Sequence, residues 1–266
     1  MQLSKAIVTG FNQDLMDYAK VMIKTFSENY HGDALPFYCL VPENILDREQ
    51  EFVGSLGINN LVIKFVSSSE RSNLIKLYPD NPYWSVDNAA HKMFLSSLFP
   101  DIDYVIYIDP LSIILQDVQS LLDHQIGEPF GAIVEISDAN LEVFKDDTRD
   151  YYNVGVFIAN LYQWRSDGYE KLLINDLLTV APTKNLEQDV FNRVFYGKTE
   201  IIPSEFNFLS WSERFNSSDY LLNNVILVHF LADPRPWQKD AKIVSPYYVD
   251  IWRKKYLDIV GIDIQI

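Results

Sequence analysis

The sequence predicts an α/β fold in which a mostly parallel sheet carries helices on both faces. Strand-like apolar runs alternate with segments of helical periodicity in the first third of the chain. The run Tyr104–Ile108 is apolar, β-branched and aromatic, as in a strand that is buried on both faces. With 266 residues, of which 48% are hydrophobic, the chain suits one large domain, and we assign residues 1–266 to it.

Each element follows from its own pattern. The predicted strands are Lys5–Thr9, Pro36–Val41, Leu61–Val66, Tyr104–Ile108, Phe130–Glu135, Val154–Asn160 and Val225–His229. The predicted helices are Leu15–Glu28, Ile45–Leu56, Asp87–Phe99 and Leu186–Tyr196. Asp14 is a candidate N-cap for the first of these helices. The polar, acidic segment Ser137–Tyr151 is typical of a loop over a binding site.

Composition and charge exclude several classes of partner. Lys and Arg number 22 against 37 Asp and Glu, which gives a formal net charge of −15. This charge argues against nucleic acid and against electrostatic docking on an anionic membrane. No window reaches the ~18 apolar residues of a transmembrane helix, and the N-terminus lacks a secretion signal. Cys39 is the single cysteine, which fits a reducing compartment, so we predict a cytoplasmic protein.

The central strand Tyr104–Ile108 ends abruptly at Asp109-Pro110. Ligands of open α/β sheets bind just outside the carboxyl ends of the strands, so Asp109 is a candidate site residue. Asp-Pro is also a common turn at the end of a strand. This stretch alone therefore leaves both interpretations open.

Four stretches, taken in order, resemble glycosyltransferase family 8, the group of glycogenin and the lipopolysaccharide galactosyltransferases. They are Tyr107-Ile-Asp-Pro-Leu-Ser-Ile-Ile-Leu115, Tyr152-Asn-Val-Gly-Val-Phe-Ile-Ala-Asn-Leu-Tyr-Gln-Trp-Arg165, Glu187-Gln-Asp-Val-Phe-Asn192 with the later Ile202-Pro203 and Phe206-Asn207, and His229-Phe-Leu-Ala-Asp-Pro-Arg-Pro-Trp237. The resemblance implies a GT-A fold with a Rossmann-like nucleotide-binding sheet. It also implies a retaining enzyme that moves a hexose from a nucleotide sugar, usually a UDP-sugar, to a glycan or glycosylated protein acceptor.

The metal-binding motif that the resemblance implies is incomplete in this sequence. The family usually offsets the charge of the leaving diphosphate with Mn²⁺ or Mg²⁺, held by an Asp-x-Asp motif and a late histidine. Asp109 and His229 match two of these metal ligands, but Leu111 stands at the position of the second Asp. We therefore expect weakened metal binding, with metal-independent activity as the alternative.

The other site residues are implied position by position. Asn12, Lys92, Asp109, Asn153, Gly155 and Arg235 match donor-binding positions, Glu187 and Gln188 match the pair near the anomeric carbon, and Glu135 matches an acidic position at the acceptor side. Gly10 stands where an Asp normally contacts the base.

Each of these residues alone has a simpler interpretation. Glu187 at a helix start, for example, satisfies dipole and capping preferences, and a lone histidine such as His229 is more often structural. The joint pattern favours the donor site. The alternative, favoured by Leu111 and Gly10, is a non-catalytic GT-A domain that binds a glycan or a protein partner.

Overall fold

The protein is described by a computed structural model that covers residues 4–67, 90–135, 143–144, 148–180, 185–211, 223–231 and 233–264. The strands are β1 (Lys5–Gly10), β2 (Leu35–Leu40), β3 (Leu61–Val66), β4 (Tyr104–Ile108), β5 (Ser112–Ile114), β6 (Phe130–Val134), β7 (Tyr152–Asn160), β8 (Thr199–Ile201), β9 (Phe208–Leu209) and β10 (Leu227–His229).

The α-helices of these ranges are α1 (Met16–Glu28), α2 (Glu49–Leu56), α3 (Leu95–Leu98), α4 (Gln119–Asp123), α5 (Leu161–Asp167), α6 (Tyr169–Thr179), α7 (Leu186–Val194), α8 (Ala241–Val244) and α9 (Pro246–Val260). Short 3₁₀ segments cover Gln13–Leu15, Glu43–Arg48, Ala90–Phe94 and Ser204–Phe206. In this part of the chain, none of the helices combines the length and the apolar character needed to span a bilayer.

The strands confirm the predicted α/β class. Within the described ranges, seven strands form one sheet in the order β3-β2-β1-β4-β7-β6-β8, and three form a smaller sheet in the order β5-β10-β9. The pairs β1–β2, β1–β4, β2–β3 and β6–β8 are parallel. Strand β7 is antiparallel to both of its neighbours, β4 and β6. As a result, the start of β7 lies at the same edge of the sheet as the end of β4.

Most predicted bounds agree with the structure to within a few residues. Strand β3 covers Leu61–Val66 as predicted. The segment predicted as the helix Ile45–Leu56 begins instead as the 3₁₀ segment Glu43–Arg48 and continues as α2. Of the predicted helix Asp87–Phe99, the first three residues lie outside the described ranges, as do residues 137–142 and 145–147 of the predicted loop.

The central strands β1, β4, β6 and β7 of the large sheet are buried on both faces, as their apolar character predicts, whereas the edge strands β3 and β8 are partly exposed. Ile7 and Ile106 pack in a cluster with α1 and α2, whereas their neighbours Val8 and Val105 pack in a second cluster with α5, α6 and α7. This alternation follows from the two-residue period of a strand. A third cluster joins α1, the small sheet and α9, with Trp252 of α9 fully buried in it.

Candidate active site

Asp109 is fixed at the carboxyl edge of the large sheet by backbone hydrogen bonds. Its N–H donates to the carbonyl oxygen of Gly155 on β7 at 2.8 Å. Its Oδ1 accepts a hydrogen bond from the N–H of Leu111 at 2.9 Å, and its side chain remains 21% exposed. The turn at Pro110 therefore leaves the carboxylate of Asp109 both oriented by the N–H of Leu111 and partly accessible.

His229 reaches the same point from the small sheet. In the register of β10 with β5, His229 lies opposite Ser112. Its Nε2 is 3.9 Å from Asp109 Oδ1. A β-carbon built on Gly155 would lie 2.0 Å from His229 Cε1, so only glycine leaves room for the ring.

The environment of His229 keeps its imidazole neutral at neutral pH. Burial lowers the pKa of His229 to about 4, and the nearby cations Lys92 and Arg235 act in the same direction, against the opposing carboxylate of Asp109. Nδ1 is buried and has no hydrogen-bond partner among the described residues. A neutral, under-satisfied imidazole beside a carboxylate has the donor chemistry of a divalent cation site.

The fit to a divalent ion is limited to these two ligands. Leu111 lines the same cleft but offers only a hydrocarbon side chain. Among the described residues, no group of three or more His, Cys, Asp or Glu side chains is arranged to hold a metal. Asp109 and His229 can therefore hold an ion only if a bound diphosphate and water complete its coordination shell.

A buried ion pair forms a second part of the site. Lys92 Nζ lies 3.5 Å from Glu187 Oε1, and the two side chains are only 5% and 2% exposed. The ammonium also lies 4.9 Å from the centroid of the Tyr107 ring. Burial raises the pKa of Glu187, and the charge of Lys92 opposes this change. Glu187 Oε2 is buried and has no partner in the described part of the chain.

A network of amides lies beneath the cleft. Asn153 Nδ2 donates to Glu135 Oε2 at 2.7 Å and to Gln188 Oε1 at 3.2 Å. Gln188 Nε2 also donates to Glu135 Oε2, at 3.1 Å. Burial raises the pKa of Glu135, whereas these two hydrogen bonds lower it. Asn153 is fully buried, so it orients Gln188 and Glu135 from below.

Arg235 lies on the loop that follows β10. Its Nε is 3.5 Å from Asp233 Oδ1, and its side chain is 34% exposed. The guanidinium lies 5.8 Å from the centroid of the Trp237 ring. The Asp233–Pro234 peptide bond of this loop is cis.

One cleft of about 370 Å³, part of which is open to solvent, lies at this edge of the sheet. It is lined by Lys92, Asp109, Leu111, Val154, Gly155, Glu187, Gln188, His229, Phe230, Leu231 and Arg235. Three apolar members of this lining, Val154, Phe230 and Leu231, were not predicted from the sequence. They carry no chemical signature of their own, and only their positions next to Gly155 and His229 mark them.

Three predicted site residues do not line the cleft. Asn153 and Glu135 belong to the network beneath it. Asn12 lies after β1, where its Oδ1 accepts a hydrogen bond from the N–H of Leu15 at 3.2 Å and caps a 3₁₀ segment. Gly10 leaves no room for a side chain, because a β-carbon there would lie 2.9 Å from His91 Nδ1.

The fold matches those of solved glycosyltransferases. The crystal structure of galactosyltransferase LgtC in complex with donor and acceptor sugar analogues has a TM-score of 0.79 at 19% identity, and the match covers 97% of each chain. Mouse xyloside xylosyltransferase 1 has a TM-score of 0.61 at 15% identity, over 86% of this chain and 98% of that chain. The chain therefore has the GT-A fold of this class of protein.

Comparison of sequences gives the family. A lipopolysaccharide 1,2-glucosyltransferase of Escherichia coli is 23% identical over 258 residues, which is 90% of this chain and 75% of that relative. Residues 6–241 match glycosyl transferase family 8, and the chain belongs to this family.

Proposed function

We propose that residues 1–266 form one transferase domain that moves a hexose from a UDP-sugar to a hydroxyl group of a glycan or glycosylated protein. The observation that carries this proposal is the convergence of Asp109, His229, Lys92 and Arg235, from separate segments, on one cleft at the carboxyl edge of β4. Relatives named as a glucosyltransferase and a galactosyltransferase support a hexose donor and a glycan acceptor. The single buried Cys39 supports a cytoplasmic location.

In the proposed reaction, the bond between the anomeric carbon and the diphosphate oxygen breaks as a new bond forms between that carbon and the acceptor oxygen. The proton of the acceptor hydroxyl passes to the departing phosphate oxygen, and the products are UDP and a glycoside. Negative charge grows on the diphosphate, while positive charge grows on the sugar. The new bond keeps the configuration of the donor.

The charged side chains of the cleft suit these two developing charges. Arg235 and Lys92 are the groups that we assign to the diphosphate, since guanidinium and ammonium ions are the usual phosphate partners. Glu187, held against Lys92, stabilises the positive charge near the anomeric carbon. Gln188 is a poor nucleophile, so its role is to support the sugar, and Glu135 receives the acceptor.

The remaining donor-side residues act less directly in this proposal. Asn153 orients Gln188 and Glu135, and Gly155 gives His229 its place. Asn12 contributes from the carboxyl end of β1, on the nucleoside side.

A divalent ion, Mn²⁺ or Mg²⁺, would be held by Asp109 and His229 and would supply positive charge to the leaving group. Leu111 removes one anionic ligand, so we propose that the ion binds weakly and only together with the nucleotide. In the metal-independent alternative, Arg235 and Lys92 carry the charge of the diphosphate alone.

A donor-hydrolysis screen tests the proposal. Nucleotide sugars with uridine and guanosine bases are incubated with the protein in Mn²⁺, in Mg²⁺ and in EDTA, and free sugar is measured. We expect turnover of a UDP-hexose, reduced but not abolished by EDTA. The specific alternative is a non-catalytic GT-A domain, favoured by Leu111. It predicts no turnover of any donor in any of the three conditions, together with measurable glycan binding.

A further inference from the structure

The loop that carries Arg235 is held by the C-terminal helix. Arg253, on α9, donates from Nε to the carbonyl oxygen of Pro236 at 2.7 Å. It donates from Nη2 to the carbonyl oxygen of Gln238 at 3.1 Å. One guanidinium therefore bridges two backbone carbonyls that lie on either side of Trp237, directly after Arg235.

The same loop is fixed by stacking. The Trp237 ring stacks on Tyr18 of α1, with a centroid distance of 4.0 Å and an interplanar angle of 11°. Its centroid is also 5.5 Å from that of Trp252, the residue that precedes Arg253 on α9. Within the loop, the N–H of Arg235 donates to Gln238 Oε1 at 2.5 Å.

Helix α9 is itself firmly docked. Trp252 is fully buried, and Lys255 Nζ pairs with Glu28 Oε2 of α1 at 2.5 Å. The helix lies beyond residues 6–241, the part of the chain that matches the family. Arg253 is therefore a fixed anchor for the loop, provided from outside the family match.

We propose that Arg253 is a positioning residue for the donor: it holds the loop 235–238 so that the guanidinium of Arg235 is presented to the diphosphate. This inference rests on the proposed role of Arg235 in the cleft. A loop that is already ordered loses little conformational freedom when the ligand binds, so the ligand binds more tightly. The planar fork of arginine suits two carbonyl oxygens, whereas lysine presents a single ammonium group.

The test is a double-mutant cycle on the full chain, with UDP binding measured by calorimetry. We expect Arg253→Ala to weaken UDP binding about fivefold to tenfold, the scale of one or two lost hydrogen bonds. Arg253→Lys should lose most of the same affinity although it keeps the charge. Arg235→Ala/Arg253→Ala should bind UDP within about twofold of Arg235→Ala, because the anchor then has nothing to position.

Lys254→Ala is the matched control. It removes one positive charge from the neighbouring, exposed position of the same helix, and its UDP affinity should equal that of the wild type. If Arg253→Ala does not fold, as judged by its thermal transition, Arg253→Lys takes its place in the cycle.

The outcomes separate this inference from the proposed function. Unchanged affinity in Arg235→Ala overturns the donor role of Arg235 and, with it, the inference. A weakened Arg235→Ala, combined with wild-type affinity in both Arg253 variants, overturns the inference alone. Losses that add fully in the double variant also overturn it, since they would mean that Arg253 acts independently of Arg235.

Discussion

The imidazole of His229 lies against the backbone of Gly155, at a distance that no β-carbon would allow. The carbonyl oxygen of the same glycine accepts the hydrogen bond of the Asp109 N–H at 2.8 Å. Gly155 therefore contacts both Asp109 and His229. The separation of the carboxylate and the imidazole depends on this one position in β7.

The first prediction is that Gly155→Ala displaces His229. An added methyl group would lie 2.0 Å from Cε1, so the ring or strand β7 must move. We expect at least a tenfold loss of transfer or donor-hydrolysis activity, with a cost in stability of about 1–3 kcal/mol from overpacking. Gly54→Ala is the control, because a β-carbon there meets no atom within 4 Å. Wild-type activity in a folded Gly155→Ala variant would show that His229 has no role in the reaction.

The second prediction concerns the affinity for the nucleotide diphosphate. Arg235→Ala should weaken UDP binding by ~1.5–3 kcal/mol, the typical contribution of a hydrogen bond to a charged group. Calorimetry with UDP, and with GDP in parallel, measures this change. Lys239→Ala removes a nearby exposed charge and serves as the control for a general electrostatic effect. Equal affinities of Arg235→Ala and the wild type would remove Arg235 from the site.

The third prediction restores the missing metal ligand. Leu111 lines the cleft together with Asp109 and His229, although its side chain is largely buried at 8% exposure, so an aspartate there would add a carboxylate beside this pair. In the presence of UDP, Leu111→Asp should bind Mn²⁺ at least about tenfold more tightly, since even outer-shell partners contribute that much. Leu111→Asn, similar in shape but uncharged, should gain less. A folded Leu111→Asp with no gain would mean that Asp109 and His229 do not form a residual metal site, which favours the non-catalytic alternative.

The fourth prediction is a pH dependence of stability that arises from Glu135. Burial raises its pKa above the ordinary 4.5, with a further contribution from Asp189, against the hydrogen bonds of Asn153 and Gln188. The folded state therefore holds this proton more tightly than the unfolded chain does. Wild-type stability should fall, relative to Glu135→Gln, as pH rises from about 4.5 through the raised pKa. The loss should be ~1.4 kcal/mol for each pH unit that separates the pKa in the folded state from that in the unfolded chain.

Thermal unfolding of both proteins between pH 4 and pH 8 measures this difference. Repeating the series in ~0.5 M salt screens exposed charges more strongly than the partly buried Glu135. A difference between the two proteins that does not change with pH would show that Glu135 titrates alike in the folded and unfolded states.

The fifth prediction concerns stereochemistry. Proton NMR of the first-formed product should show the anomeric configuration of the donor sugar. Spectra recorded early in the reaction are compared with those taken after spontaneous mutarotation of any free sugar. Inversion at the anomeric carbon would contradict the proposed retaining mechanism.

The fold could be predicted well from the sequence because buried apolar residues recur with the period of the helix or strand that carries them. Strand β3 and helix α1 follow directly from their apolar spacing. The antiparallel direction of β7 could not be predicted in this way, since a buried strand is apolar whichever way it runs. Only the structure therefore shows that Gly155 meets the end of β4.

Part of the arrangement of the candidate site could also be predicted from the sequence. Asp109 and His229 carry recognisable chemistry, and they do converge. Asn153, which is predicted at a donor-binding position, is fully buried, bonds to Glu135 and Gln188, and does not itself line the cleft. The contacts of Arg253 could not be predicted from the sequence, because its partners are backbone carbonyls, which every residue possesses.

The pairing of β10 with β5 determines which face of the small sheet His229 lies on. The position of His229 is set by hydrogen-bonded register, opposite Ser112 of β5 and beside Leu209 of β9. A slip of one residue would turn the imidazole to the opposite face of the sheet.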